Sequence, residues 1–182
     1  MKTLEGSITT YTGRRICPLN PSIDNIHILD ICHALSNQCR FTGHTLEFYS
    51  VAEHSCRVHD ILPNELKLAG LLHDASEAYL MDLARPVKEQ HEMKFFVEAE
   101  DHLLEIIALK FNLDYPFSKK IKEADKILLV TEYRDLMDKE VWNAADWNGH
   151  KPLERRICPW APSVAKFAMI DRLEKLGIEV RR

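Results

Sequence analysis

Glycine and proline are scarce, six and eight among 182 residues. That is too little punctuation for many short strands and leaves helices as the dominant element. No C-x-x-C pair occurs, and the five cysteines (Cys17, Cys32, Cys39, Cys56, Cys158) are odd in number. A disulfide framework and a cysteine-based structural zinc site are thereby excluded. There is no apolar run of 18 residues and no signal-peptide pattern after Met1, so the expectation is a cytoplasmic chain with no membrane association. A basic excess is missing too. Twenty-four Lys and Arg against 28 Asp and Glu leave a net charge of −4, which argues against nucleic acid as the partner. What is present is 46% apolar and 29% charged residues, the balance of a folded domain. At this length one domain over 1–182 is expected, with its core at about 23–140.

The pattern along the chain is helical after a short start. Ser7-Ile8-Thr9-Thr10-Tyr11-Thr12-Gly13 is β-branched and aromatic and predicts a strand or hairpin. Ser22 is placed to cap a helix over 23–37, and 39–49 reads as a loop. Ser50 caps a helix to about Leu62, with Glu53 completing a capping box. A third helix is expected over 65–79, a loop over 82–88, and a long helix over 91–111 with Phe95, Ala99, Leu103 and Ile106 facing the core. Ser118 opens a helix to about Met137, residues 138–162 (with Trp142, Trp147 and Trp160) are irregular, and Ser163 caps a last helix before Gly177. The fold class is all-α, a helical bundle with a short N-terminal β element. Arg14-Arg15-Ile16-Cys17-Pro18 recurs as Arg155-Arg156-Ile157-Cys158-Pro159. The echo reads as two extended approaches to a helix start, or as two segments paired in a ribbon.

Chemistry is sought where an apolar stripe carries a polar residue. Val51, Val58 and Ile61 form such a stripe with His54 in its missing step. Leu66, Ala69, His73 and Leu80 share another, with Asp74 beside His73 and Glu77 four residues on. Asp125 lies between Ile121 and Leu128. A buried carboxylate is costly unless paired or metal-bound. Two His and two Asp make a mixed nitrogen and oxygen set suited to one divalent transition metal (Co, Mn, Zn, Fe or Ni), with positions left for water and a substrate oxygen. His59-Asp60, in the last turn before Pro63, is assigned a surface role, and His33 is read as packed behind the site.

His54, then His73-Asp74, then Asp125 is the ligand order of the HD-superfamily phosphohydrolases. Val51-Ala52-Glu53-His54-Ser55, Leu72-His73-Asp74-Ala75-Ser76-Glu77-Ala78, Asp82-Leu83-Ala84-Arg85-Pro86-Val87-Lys88 and Lys122-Glu123-Ala124-Asp125 resemble the bacterial 5′-deoxynucleotidases of that superfamily. They also resemble its small phage deoxynucleoside triphosphate hydrolases. The resemblance covers about residues 30–140. It implies an HD-type bundle in which His54, His73, Asp74 and Asp125 hold the metal, Glu77 serves the attacking water and Asp82 sits at the substrate. Arg40 corresponds to a phosphate-binding arginine in an Arg-aromatic pair, with Phe41 where the deoxynucleotidases carry Trp.

From the residues themselves, Arg40 offers a bidentate fork to phosphate. His44 is a candidate second phosphate contact or leaving-group acid, and Lys88 and Arg85 add positive potential at the mouth. The expected partners are a small nucleotide and further copies of the chain in a homo-oligomer. The expected activity is release of phosphate from deoxynucleoside monophosphates. Triphosphate hydrolysis at the same site and a nucleotide-binding regulatory module are the alternatives.

Overall fold

The computed structural model describes residues 6–138 and 149–181. It opens on the expected β element: β1 (Ile8–Thr9) pairs antiparallel with β2 (Arg15–Ile16), Ile8 opposite Ile16. The hairpin is docked by Asp30, whose carboxylate accepts from Thr12 N–H at 2.6 Å and Thr12 Oγ1 at 2.9 Å. Eight α-helices follow among the described residues: α1 (Ile28–Asn37), α2 (Val51–Ile61), α3 (Lys67–Leu71), α4 (Glu77–Leu80), α5 (Arg85–Lys88), α6 (Lys94–Lys110), α7 (Lys119–Leu136) and α8 (Pro162–Lys175). The all-α class with its N-terminal β element is therefore what the chain adopts. Among the described residues no helix is long and apolar enough to cross a membrane.

Helix α2 is the axis, packed against α1, α3, α7 and α8. One apolar cluster joins Ile31, Leu35, Val51, Leu72, Leu103, Ile107, Met169 and Leu173; a second joins Val58, Leu62, Ala69, Ile121 and Leu128. The first fixes α2 against α1, α6 and α8, and the second fixes it against α3 and α7. Gly70 lets Leu62 pack closely here, because a Cβ at that position would displace the end of the Leu62 side chain.

Caps behave unevenly. Ser50 Oγ accepts from Glu53 N–H and Ser118 Oγ from Lys120 N–H. The reciprocal half of the capping box is absent, because the Glu53 carboxylate accepts from Arg57 and from Trp160 N–H at 2.7 Å instead. Ser22 makes no side-chain cap bond; a 3-10 turn (Ile23–Asn25) comes first and α1 begins only at Ile28. Ser163 lies inside α8, whose N-cap is Ala161 with Pro162 in the first turn. The third expected helix is broken between Leu71 and Glu77. The 82–88 segment is not all loop, since Arg85–Lys88 makes one helical turn. Phe95 is 65% exposed; the buried stripe of α6 is Leu103, Ile107 and Ala108, and the first turns of that helix leave the core.

The repeated segments do not pair. Residues 15–16 belong to the hairpin, whereas Ile157 N–H donates to Asp135 at 2.9 Å and Cys158 C=O accepts from Arg57. Residues 149–161 are irregular as expected, and Trp142 and Trp147 lie outside the described residues. His59 is buried, with 8% exposure, and contacts Asp60 at 2.8 Å. Asp60 in turn grips Arg172 of α8 at 2.7 and 2.9 Å. That pair anchors a helix, so the surface role assigned to His59 is incorrect, although the dipeptide remains structural.

Glu53 performs the same anchoring for the segment before α8. Glu53→Ala should leave the Trp160 N–H without its acceptor and the Arg57 guanidinium with only the Cys158 carbonyl, at about 2–3 kcal/mol. For a chain of this size that lowers the melting temperature by roughly 5–10 °C. A thermal melt superimposing on wild type would show that the contact carries no stability.

Candidate metal centre

The site is assembled where α2, the break after α3 and α7 meet. His54, on the most enclosed helix, has no exposure at all. His73 and Asp74 fall in the turn between α3 and α4, where Leu72 (φ −109°, ψ 7°) has left helical geometry. Asp125 comes from α7. One donor atom each from His54, His73 and Asp74 lie within 4.8 Å of one another. His54 Nε2 is 3.4 Å from His73 Nε2, 3.5 Å from Asp74 Oδ2 and 3.2 Å from Asp125 Oδ1. Asp74 Oδ2 is 3.2 Å from His73 Nε2. Asp125 sits at the edge of the buried stripe rather than within it, its side chain 37% exposed toward a cavity.

The donor set fits a divalent cation, and the far sides of the two imidazoles say why. His54 Nδ1 faces Glu132 Oε1 at 2.6 Å, and His73 Nδ1 faces the Gly70 carbonyl at 2.8 Å. Both partners only accept, so each Nδ1 carries the proton and each Nε2 presents a lone pair. Two imidazole lone pairs and the Asp74 carboxylate then converge on one point, and Asp125 approaches the same His54 nitrogen from α7. That is the arrangement in which carboxylate and carbonyl groups orient metal-ligating histidines.

The same acceptors act on the proton affinity of His54. Burial and the Arg40 charge would lower the His54 pKa, but Glu132 and Asp125 outweigh them and raise it to about 10. Burial would raise the Asp125 pKa, yet the His54 contact holds it below the usual carboxylate range.

Glu132 is the residue that sequence reasoning missed. It is wholly buried, accepts from Tyr49 Oη–H at 2.9 Å, and lies 3.2 Å from Arg40 Nη2. Burial pushes its pKa up, but Arg40 and His54 more than compensate, so it stays ionised. Its signal was present: Glu132 follows Asp125 by two helical turns, between buried Leu128 and Leu136.

Beside this centre lies a cavity of about 480 Å³. Arg40, Phe41, Asp82, Lys88, Glu77, Asp74 and Asp125, all singled out from sequence, line it, and so does Arg85. Arg40 is only 9% exposed and bridges Glu132 to Asp74, with Nη1 3.6 Å from the latter. It is thus a structural member of the centre as well as a cavity wall, and Arg40→Ala would strip Glu132 of its counter-charge. Glu77 is buried with Oε2 lacking any partner, and burial, Asp74 and Asp82 push its pKa well up. Asp82 is shifted upward by burial. Lys88 Nζ lies 2.6 Å from Glu100 and 3.7 Å from Glu77.

Gln38, also missed, clamps the 77–82 segment by donating to the Glu77 carbonyl at 2.7 Å and accepting from Asp82 N–H at 3.2 Å. His44 is exposed and lies off the cavity. His33 stacks on Tyr11 at 3.8 Å and faces Lys166, so it packs against the hairpin and not behind the ligands.

Compared with known proteins, the chain is 34% identical over 178 residues to YfdR, an uncharacterized protein of Escherichia coli K12. The alignment takes in 96% of this chain and 97% of that protein. The chain belongs to the YfdR family. An uncharacterized protein of Rhodobacter capsulatus is 37% identical over 129 residues, covering 64% of this chain and 65% of the relative. No family model matches.

Two outcomes are expected of this YfdR-family centre. Glu132→Gln keeps the shape but weakens the acceptor behind His54, so metal affinity should fall about 10- to 100-fold; Asp125→Ala should lower it further. Equilibrium metal titration checks both, and wild-type affinity in either variant removes that residue from the centre. Because the ion must displace the His54 proton, apparent affinity should climb with pH about tenfold per unit below the His54 pKa of about 10. A titration independent of pH would show that His54 Nε2 does not ligate.

Proposed function

We propose that this protein is a divalent-metal-dependent nucleotide phosphohydrolase of the HD-superfamily type, a 5′-deoxynucleotidase releasing phosphate from deoxynucleoside monophosphates. The observation that carries the reading is the convergence of acceptor atoms at His54, His73 and Asp74, with Asp125 against His54, beside a cavity into which a buried carboxylate, Glu77, is set with its Oε2 unpartnered. A centre that only braced the fold would have little use for such a carboxylate, or for an open cavity next to the ion.

When bound, the ion supplies Lewis-acid polarisation of the phosphoryl group and acidifies water. Glu77 takes the water proton: it is one turn from the ligand turn and its raised proton affinity makes it a stronger base than an exposed carboxylate. Arg40, whose buried Nε–H has no acceptor, and Lys88 orient the remaining phosphate oxygens. Asp82, fixed by Gln38, stands at the sugar end of the ester.

Glu77→Gln should retain metal and nucleotide binding while phosphate release falls roughly 10²- to 10⁴-fold. The check is parallel measurement of metal content, binding and products over a panel of deoxy- and ribonucleoside mono- and triphosphates. Full release by the variant would sink the general-base role. Triphosphate as the product would move the substrate to deoxynucleoside triphosphates, and binding without release by wild type would favour a regulatory module.

A further inference from the structure

Helix α7 presents Asp125, Leu129 and Tyr133 to the same cavity, at the i, i+4, i+8 spacing that keeps three side chains on one face. At 1.5 Å per residue, Tyr133 stands about 12 Å along the helix from Asp125. The two ends of this row differ in chemistry. Asp125 lies 3.2 Å from His54 Nε2. Tyr133 meets Phe41 edge to face, with ring centroids 5.1 Å apart, and Leu129 fills the step between. Phe41 is held there by a left-handed backbone, φ 53°, with Thr42 at φ 55°. Such conformations are costly for side chains larger than glycine and persist where the surrounding structure imposes them. The wall is therefore a ruler, with a charged end for the reacting group and an aromatic end one extended nucleoside monophosphate away.

Resting on the nucleotide reading of this cavity, we propose that Tyr133, with Leu129 beside it on α7, is the base-binding contact, the one that separates a nucleotide from a base-free sugar phosphate. The ring of Tyr133 and the edge of Phe41 receive the base by its flat face, while the phosphate lies at His54 and Asp125. Stacking of this kind is sequence-tolerant, because every base has a π-face. Its loss on truncation is worth about 5- to 100-fold in affinity.

The test compares dAMP with deoxyribose 5-phosphate, which keeps the phosphate and sugar and lacks the base. Calorimetric binding is measured in the metal-loaded Glu77→Gln protein and kcat/KM in the otherwise wild-type protein. Tyr133→Ala should weaken dAMP about 5- to 100-fold, mainly through KM, and leave deoxyribose 5-phosphate unchanged. Tyr133→Phe should restore dAMP, and Tyr133→Leu, which keeps most of the packing volume, should behave like alanine. The inference is overturned if the alanine and leucine variants bind dAMP normally, or weaken both ligands alike. It is also overturned if protein with Tyr133 intact binds dAMP no better than deoxyribose 5-phosphate. Base-dependent binding with no phosphate release from wild type would leave this contact standing and fail the hydrolase reading alone.

Discussion

The Glu132 carboxylate is the charge around which the centre is arranged. An ionised carboxylate without solvent contact costs several kcal/mol unless donors surround it, and here three do: His54 Nδ1–H, Tyr49 Oη–H and the Arg40 guanidinium. Each of these donors is thereby fixed. His54 is turned so that Nε2 points at His73 and the two aspartates. Arg40 is drawn inward until its other nitrogen reaches Asp74. Tyr49, fully buried just before the α2 cap, ties the preceding loop to α7. One side chain on α7 thus sets the orientation of three groups from the 39–49 loop and α2, and a neutral residue in its place would release them together.

Charge balance adds to this. Asp74, Glu77, Asp82, Asp125 and Glu132 crowd the centre and its cavity, against the fixed cations Arg40, Lys88 and Arg85. Lys88 is already engaged by Glu100, and Arg85 reaches Glu89 across an exposed helix turn. The negative charge acts at His54, where burial and Arg40 are outweighed by Glu132 and Asp125, and at Glu77, where burial has the larger effect and Asp74 and Asp82 add to it. His54 and Glu77 both hold protons more tightly than in water, although one is a base and the other an acid. Burial alone would lower the histidine. A cation at the convergence point of the acceptors would relieve the same field that the protons relieve in its absence.

Much of this was legible in the sequence, and the reasons for the remainder are specific. Helix positions followed from apolar periodicity, and Ser50 and Ser118 capped where expected. The site residues were found because a polar side chain on an apolar stripe is a violation needing an explanation. Glu132 was the same violation, on the same helix face as Asp125, and was passed over because it makes no part of a ligand pattern. Gln38 left no trace of that kind. Its partners are the backbone of Glu77 and Asp82, brought to it only by the fold. The break after Leu71 was hidden for a related reason: residues 65–79 contain neither Pro nor an internal Gly beyond Gly70, so local propensity favours a helix straight through. A continuous helix would splay His73 and Asp74 about 100° apart. The turn lets both reach His54.

The geometry of that turn also explains why the backbone beyond it is unusual. After α4 the chain reverses at Met81, with φ 80° and ψ 154°, a region that favours glycine and costs of order 1–3 kcal/mol elsewhere. The reversal turns Asp82 into the cavity next to Glu77 while the Met81 side chain remains outside, 56% exposed. Gln38 holds both ends of the bend, so the cost is met by two hydrogen bonds from the residue that ends α1, a helix of the main core. The apolar clusters around α2 do not include the converging His and Asp groups. The core is therefore built apart from these groups, and the strained turn, the buried glutamate and the oriented imidazoles hold them in place. Preorganisation of that kind puts the cost of assembling the site on folding rather than on binding.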